Sequence, residues 1–204
     1  MEHPLFSPDS AFSRVMDRVG QLAVLNVLWL VCSLPVVTLG ASSTALYTVL
    51  LQMEQQREGH VARRFWAAFR ENFRRATMCF LPVAAFAALC AADLLLVRRG
   101  ALRLLAMMGL QVAALECTML FPMLARYENT WKNQLVNAFR LAVGWLPRVL
   151  LIWSGWAVPV AVTLYVPYGL YEMLIVWVLV GYAAMSYFTV RLLRPVFAEL
   201  EQPK

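Results

Sequence analysis

The chain has 204 residues, of which 61% are apolar and only 15% charged, with a mean hydropathy of +0.63 and a net charge of +6. A water-soluble fold averages roughly 45–50% apolar and about 25% charged residues, so this composition excludes one and makes lipid the solvent. The length leaves no stretch for a separate soluble module, so residues 1–204 read as one integral membrane domain.

A spanning helix needs about 20 mostly apolar residues. In chain order the pattern predicts membrane segments at 17–34, 42–55, 76–97, 104–125, 145–166 and 170–192. The fold class is therefore all-α: a polytopic bundle of five to six membrane helices with amphipathic interfacial helices on the cytoplasmic side. The first eighteen residues lack the basic, apolar and small-residue succession of a cleaved signal, so the first apolar stretch reads as a retained helix.

Two readings of the first region stay open. Leu34-Pro35-Val36-Val37-Thr38-Leu39-Gly40 interrupts it, and Ser42, Ser43 and Thr44 are candidate caps for a second helix, which together favour a hairpin over one long span. With the hairpin, fifteen basic residues fall inside the cell and three (Arg98, Arg99, Arg103) outside; with a single span the split is thirteen to five. Both distributions obey the positive-inside rule, and both make the long basic loops and the carboxyl terminus cytoplasmic.

Between the second and third segments, Val61, Phe65, Phe69, Phe73 and Ala76 recur at near-helical spacing among Arg63, Arg64, Arg70, Arg74 and Arg75. Tyr127, Trp131, Leu135, Phe139 and Ala142 repeat the pattern before the fifth segment. Aromatic stripes with basic flanks favour the headgroup boundary, so two interfacial helices are expected, each turning into the next span. Arg63, Arg64, Arg70, Arg74 and Arg75, anchored by Phe65, Trp66 and Phe69, form the candidate surface for anionic lipid or a partner protein. An Asn is followed ten residues later by Pro in both places (Asn72 and Pro82, Asn137 and Pro147), a short pattern compatible with internal duplication.

Candidate chemistry is sparse. Glu116 falls near the middle of a span, where an ionisable residue suggests a proton, ion or substrate contact; a glutamate hydrogen-bonded to Gln111, Asn26 or a tyrosine is the structural alternative. Asp93 is a weaker candidate, because Arg98 and Arg99 lie within two turns of it, and Glu172 is explained by solvation at the outer interface. The aromatic run from Tyr165 to Tyr171 reads as an interfacial belt, with sugar stacking as the alternative. Cys32, Cys79, Cys90 and Cys117 lie in apolar stretches without metal or redox spacing, and no phosphate loop, HExxH or GxSxG occurs. The expectation is a protein that is not an enzyme, with no catalytic residues, no metal, no cofactor and no nucleic-acid partner.

Asn26-Val27-Leu28-Trp29, Ser33 to Ala41, Phe65 to Thr77 and Phe121 to Tyr127 with Asn137-Ala138-Phe139 resemble, in that order, the YesL family of bacterial multi-pass membrane proteins, a domain of unknown function. The resemblance implies a location in the bacterial cytoplasmic membrane and an association with carbohydrate ABC transporters and polysaccharide-degrading enzymes. It carries no established activity and no catalytic residue. The leading expectation is an accessory or regulatory component of carbohydrate uptake, with the bilayer and transporter subunits as partners; the alternative is a small secondary transporter or channel using Glu116.

Overall fold

Long apolar runs with few helix breakers leave the backbone one way to satisfy its polar groups in hydrocarbon, which is to close them within helices. The computed structural model describes residues 11–55, 59–96, 100–165 and 174–201, and no strand occurs among them. The helices are α1 (Ala11–Ser33), α2 (Leu39–Glu54), α3 (Val61–Leu96), α4 (Gly100–Arg126), α5 (Trp131–Gly144), α6 (Leu146–Tyr165) and α7 (Leu174–Leu200). Among the described residues all except α5 are long and apolar enough to cross a membrane, α2 only together with the turn before it (Val36–Glu54), so the chain is a multi-pass helical membrane protein.

The break at Pro35 makes the first region a helical hairpin. After Ser33 a single 3-10 turn, Val36–Thr38, reverses the chain into α2. The expected caps are not caps, because α2 starts at Leu39, before them, and Thr38 at its start makes no side-chain capping bond. Ser42, Ser43 and Thr44 instead lie fully buried inside the helix. Their hydroxyls bond inward: Thr44 donates to Gly40 O (2.9 Å), Ser42 shares a 2.6 Å hydrogen bond with Ser33, and Ser43 accepts from the Trp29 indole (3.1 Å).

Of the residues in the apolar stretch of α2, 61% are buried, against 11–33% in the other five candidate spans, so α2 is the central helix. It packs on α1, α3, α4 and α7. Gly40 permits the closest approach: a Cβ there would sit 2.6 Å from the Phe80 Cβ and 3.0 Å from the Ala76 carbonyl oxygen. At the other end of α2, Leu50 and Met53 share a core cluster with Val61 and Phe65. Helix α2 thus runs antiparallel to residues 61–80 of α3.

The expected interfacial helix before the third span is not a separate element. Residues 61–96 form one 36-residue helix, about 54 Å long at 1.5 Å per residue. Nothing between Val61 and Leu81 breaks a helix, and Pro82 is accommodated within it. The second interfacial stretch does separate, as α5, where Gly144 and Trp145 end the helix before Leu146-Pro147 opens the next. The Asn-to-Pro pattern consequently has different structural settings: Asn72 and Pro82 share one helix, whereas Asn137 and Pro147 lie on α5 and α6.

A second core cluster joins Ala76 and Cys79 of α3 to Leu120 and Leu124 of α4, Ala138 and Ala142 of α5, Val149 and Ile152 of α6, and Leu193 and Phe197 of α7. Helix α6 buries only Val149 and Ile152, the sparsest packing of any helix in the bundle.

Candidate functional site

Three features stand out from the apolar bundle. The first ties α1 to α7. Asn26 is completely buried; its side-chain amide donates to Trp177 O (3.0 Å) and Val178 O (2.7 Å), and its Oδ1 accepts from the Ala183 backbone N–H (2.8 Å). Residues Trp177–Gly181 form a π-helical turn. A π turn shifts the hydrogen-bond register and strands backbone groups, and Asn26 supplies partners for three of them. Asn26 is therefore not a partner of Glu116.

The second is a cavity of about 340 Å³ between α2, α4, α6 and α7. Its wall includes Tyr47, Cys117, Thr118, Trp153, Trp156 and Tyr182, with no charged side chain among the described residues. The indoles are fixed by hydrogen bonds, Trp153 Nε1 to Thr118 Oγ1 (3.0 Å) and Trp156 Nε1 to Thr189 Oγ1 (3.3 Å). Tyr182 stacks on Trp29 with ring centroids 3.8 Å apart and meets Trp156 edge-on at 5.6 Å. Indole and phenol faces with neutral hydroxyls suit an uncharged ligand.

Glu116 lies outside that cavity wall. It is buried on α4 and its Oε1 has no hydrogen-bond partner. It is near enough to Cys79 of α3 to interact with it electrostatically, and Gln111 faces outward. Asp93 is half-buried near the end of α3. The two acidic candidates lie on different helices, and no cluster of three or more metal-ligating side chains occurs among the described residues. Glu172, Arg98, Arg99 and the run 166–171 lie outside the described residues.

The third feature is the basic end of the bundle. Arg63, Arg70 and Arg74 are exposed, beside Trp66 at 45% and Phe73 at 39% exposure. The Arg70 guanidinium sits 5.2 Å over the Trp66 ring, and Trp66 stacks on the half-buried Phe69 at 5.6 Å. Four of the sequence-predicted surface residues turn inward, the half-buried Phe69 among them. Phe65 is fully buried in the core; Arg75 donates to Leu124 O and Asn72 Oδ1, both at 2.7 Å, tying α3 to α4; Arg64 is half-buried. The buried stripe of α3 is Val61, Phe65, Ala68, Asn72, Ala76 and Cys79, so the helix is rotated from the aromatic stripe read in the sequence. Small residues allow the closer helix approach, which leaves Phe73 outside. On α5 and α6 the same chemistry recurs, with Lys132 over Trp131 (5.4 Å) and Arg148 over Trp145 (4.4 Å).

A second cavity, about 270 Å³, lies between the ends of α2, α4 and α7 and is lined by Glu54, Gln55, Arg126, Arg194 and Glu201. Arg126 and Glu201 form a two-bond pair, both hydrogen bonds 2.9 Å, and Arg191 meets Glu54 at 3.2 Å. Sequence reasoning missed this ring because its members lie on helices far apart in the chain. It also missed Asn26 as a structural tie, although an Asn in a run from 19 to 53 with no charged residue was a visible signal.

No curated protein and no solved structure matches the chain. Residues 22–94, which run from α1 through the hairpin to near the end of α3, match the model of a family described as "Protein of unknown function, DUF624".

Proposed function

We propose that this chain is a non-enzymatic accessory or regulatory component of the bacterial cytoplasmic membrane, serving carbohydrate uptake, with its basic end and carboxyl terminus in the cytoplasm. The YesL resemblance supplies the context. The observation that carries the reading is the outer face of α3, where Arg63, Arg70 and Arg74 stand with Trp66 and Phe73 on a helix whose opposite face is core. Because the buried stripe fixes the helix, these side chains are held out on a rigid support rather than a loose loop. Exposed arginine and tryptophan on a preorganised surface suit an acidic protein face, and the same groups suit anionic headgroups.

The test is affinity purification in a gentle detergent from cells growing on polysaccharide, with the native chain and with the Arg63→Gln, Arg70→Gln, Arg74→Gln triple variant. Carbohydrate-transporter subunits recovered with the native chain and lost with the variant support the proposal. Failure to recover any such subunit with the native chain overturns it.

One observation favours a second reading, a small secondary transporter: Glu116 is buried with an unpartnered carboxylate oxygen. Flux in proteoliposomes that disappears in Glu116→Gln would support transport, and flux unchanged by that substitution would remove Glu116 from it.

A further inference from the structure

We infer that the α1–α2 hairpin is re-entrant: it enters the bilayer from the basic side, ends within the hydrocarbon, and returns without reaching the opposite surface. Its tip meets lipid acyl chains.

Length gives the first argument. Helix α2 alone has 16 residues, roughly 24 Å, against a hydrocarbon thickness of roughly 30 Å, which the stretch approaches only when the turn before it is counted, as Val36–Glu54. Its first turn packs on Ala76 and Phe80 of α3 through Gly40. From Phe80, α3 continues to Leu96, roughly another 24 Å, and pairs with α4 where Gly109 abuts Cys90 and Phe86. One hairpin of the molecule therefore extends far beyond the other. The outer face of α3 is also still basic at Arg74, two residues before the level of Gly40. The α2 helix thus runs alongside the amphipathic half of α3, and the uncharged half of α3 lies beyond the tip.

Surface chemistry gives the second. At the tip Leu34, Val36 and Val37 are 78%, 66% and 50% exposed, and no Asp, Glu, Lys or Arg occurs from residue 19 to 53. The connection between α3 and α4 has the opposite character, with Arg98, Arg99 and Arg103 within six residues. Charged residues are costly in hydrocarbon, and the tip has none.

Polar satisfaction gives the third, since irregular backbone at membrane depth must find its partners inside the protein. Proline 35 has no N–H to satisfy. The Thr38 N–H donates to Pro35 O (3.0 Å), and the Thr38 hydroxyl lies 2.6 Å from Cys32 O and 2.7 Å from Pro35 O, covering carbonyls that the end of α1 would leave open. The Leu34 N–H reaches Val31 O at 3.5 Å, and Ser33 and Ser42 close on each other. These bonds satisfy part of the turn's backbone within the protein.

The test uses the full-length protein in lipid nanodiscs, where both membrane surfaces meet solvent, with nitroxides at Leu34→Cys, Val36→Cys, Leu96→Cys and Leu104→Cys. The same preparation takes a membrane-impermeant maleimide at Val37→Cys, Gly100→Cys and Arg63→Cys, with the parent chain giving the background of the native cysteines. The re-entrant hairpin gives high oxygen and low nickel-chelate collision rates at 34 and 36, a greater depth there than at 96, and no maleimide labelling at 37 while 100 and 63 react. Labelling at 37 as fast as at 100 overturns the inference. So does a depth at 36 equal to that at 96, or low collision rates for both reagents at 34 and 36, which would place the tip inside protein. Two independent tip positions keep the test decisive if one variant misfolds.

Discussion

Replacing Asn26 with leucine keeps the number and branching of the side-chain heavy atoms, with bulkier methyl groups at its end, and removes every hydrogen bond that the residue makes. Three groups on α7 lose their partners: the Trp177 and Val178 carbonyls and the Ala183 N–H. Interhelical polar contacts inside membranes average about 0.6 kcal/mol and reach about 1.7 kcal/mol, because the unfolded reference state in lipid also finds partners. Three of them give a loss of about 2 kcal/mol, with about 5 kcal/mol as the ceiling. The assay is reversible unfolding in mixed micelles of increasing SDS fraction, followed by tryptophan fluorescence. Trp177 lies within the affected turn, so its emission reports locally as well. Asn26→Leu unfolding within 0.5 kcal/mol (about the scatter of independent sites) of the native chain would refute the claim that this amide holds the π turn.

Gly40→Ala drives a methyl against the Phe80 Cβ and the Ala76 carbonyl, neither of which can rotate away, and should cost about 1–3 kcal/mol in the same assay. Gly144→Ala, where an added Cβ meets nothing within 4 Å, serves as the control and should stay within about 0.5 kcal/mol. Glu116→Leu removes a buried carboxylate with an unpartnered oxygen, so stability should hold or rise by about 1–4 kcal/mol; a clear loss would reveal a partner. Glu201→Ala breaks a pair whose members are 25% and 50% exposed, and the change should not exceed about 1 kcal/mol and should shrink with added salt.

The sequence made legible what depends on the solvent and on helix breakers. Pro35 placed the hairpin, Gly144 to Pro147 separated α5 from α6, and the apolar runs located six candidate spans to within a few residues at most ends. The errors share a cause. The arginines between Val61 and Arg75 suggested a boundary, yet charge does not terminate a helix, and α3 runs through them. The aromatic stripe is the more conspicuous pattern in the sequence, whereas close packing selects Ala68, Asn72 and Ala76. Glu116 was visible as a costly residue at depth. The aromatic cavity was not, because Tyr47, Thr118, Trp153 and Tyr182 come from four helices whose order in space no local pattern encodes.

The unbroken course of α3 also has a mechanical side. The tight seat of Ala76 and Phe80 on Gly40 lies close to the middle of a rod about 54 Å long. A tilt of roughly 5° about that seat carries each tip by roughly 2 Å, in opposite directions. Side chains as far apart as Arg63 and Leu96 thus stand on one continuous shaft, with Pro82 as the place where it would bend most readily.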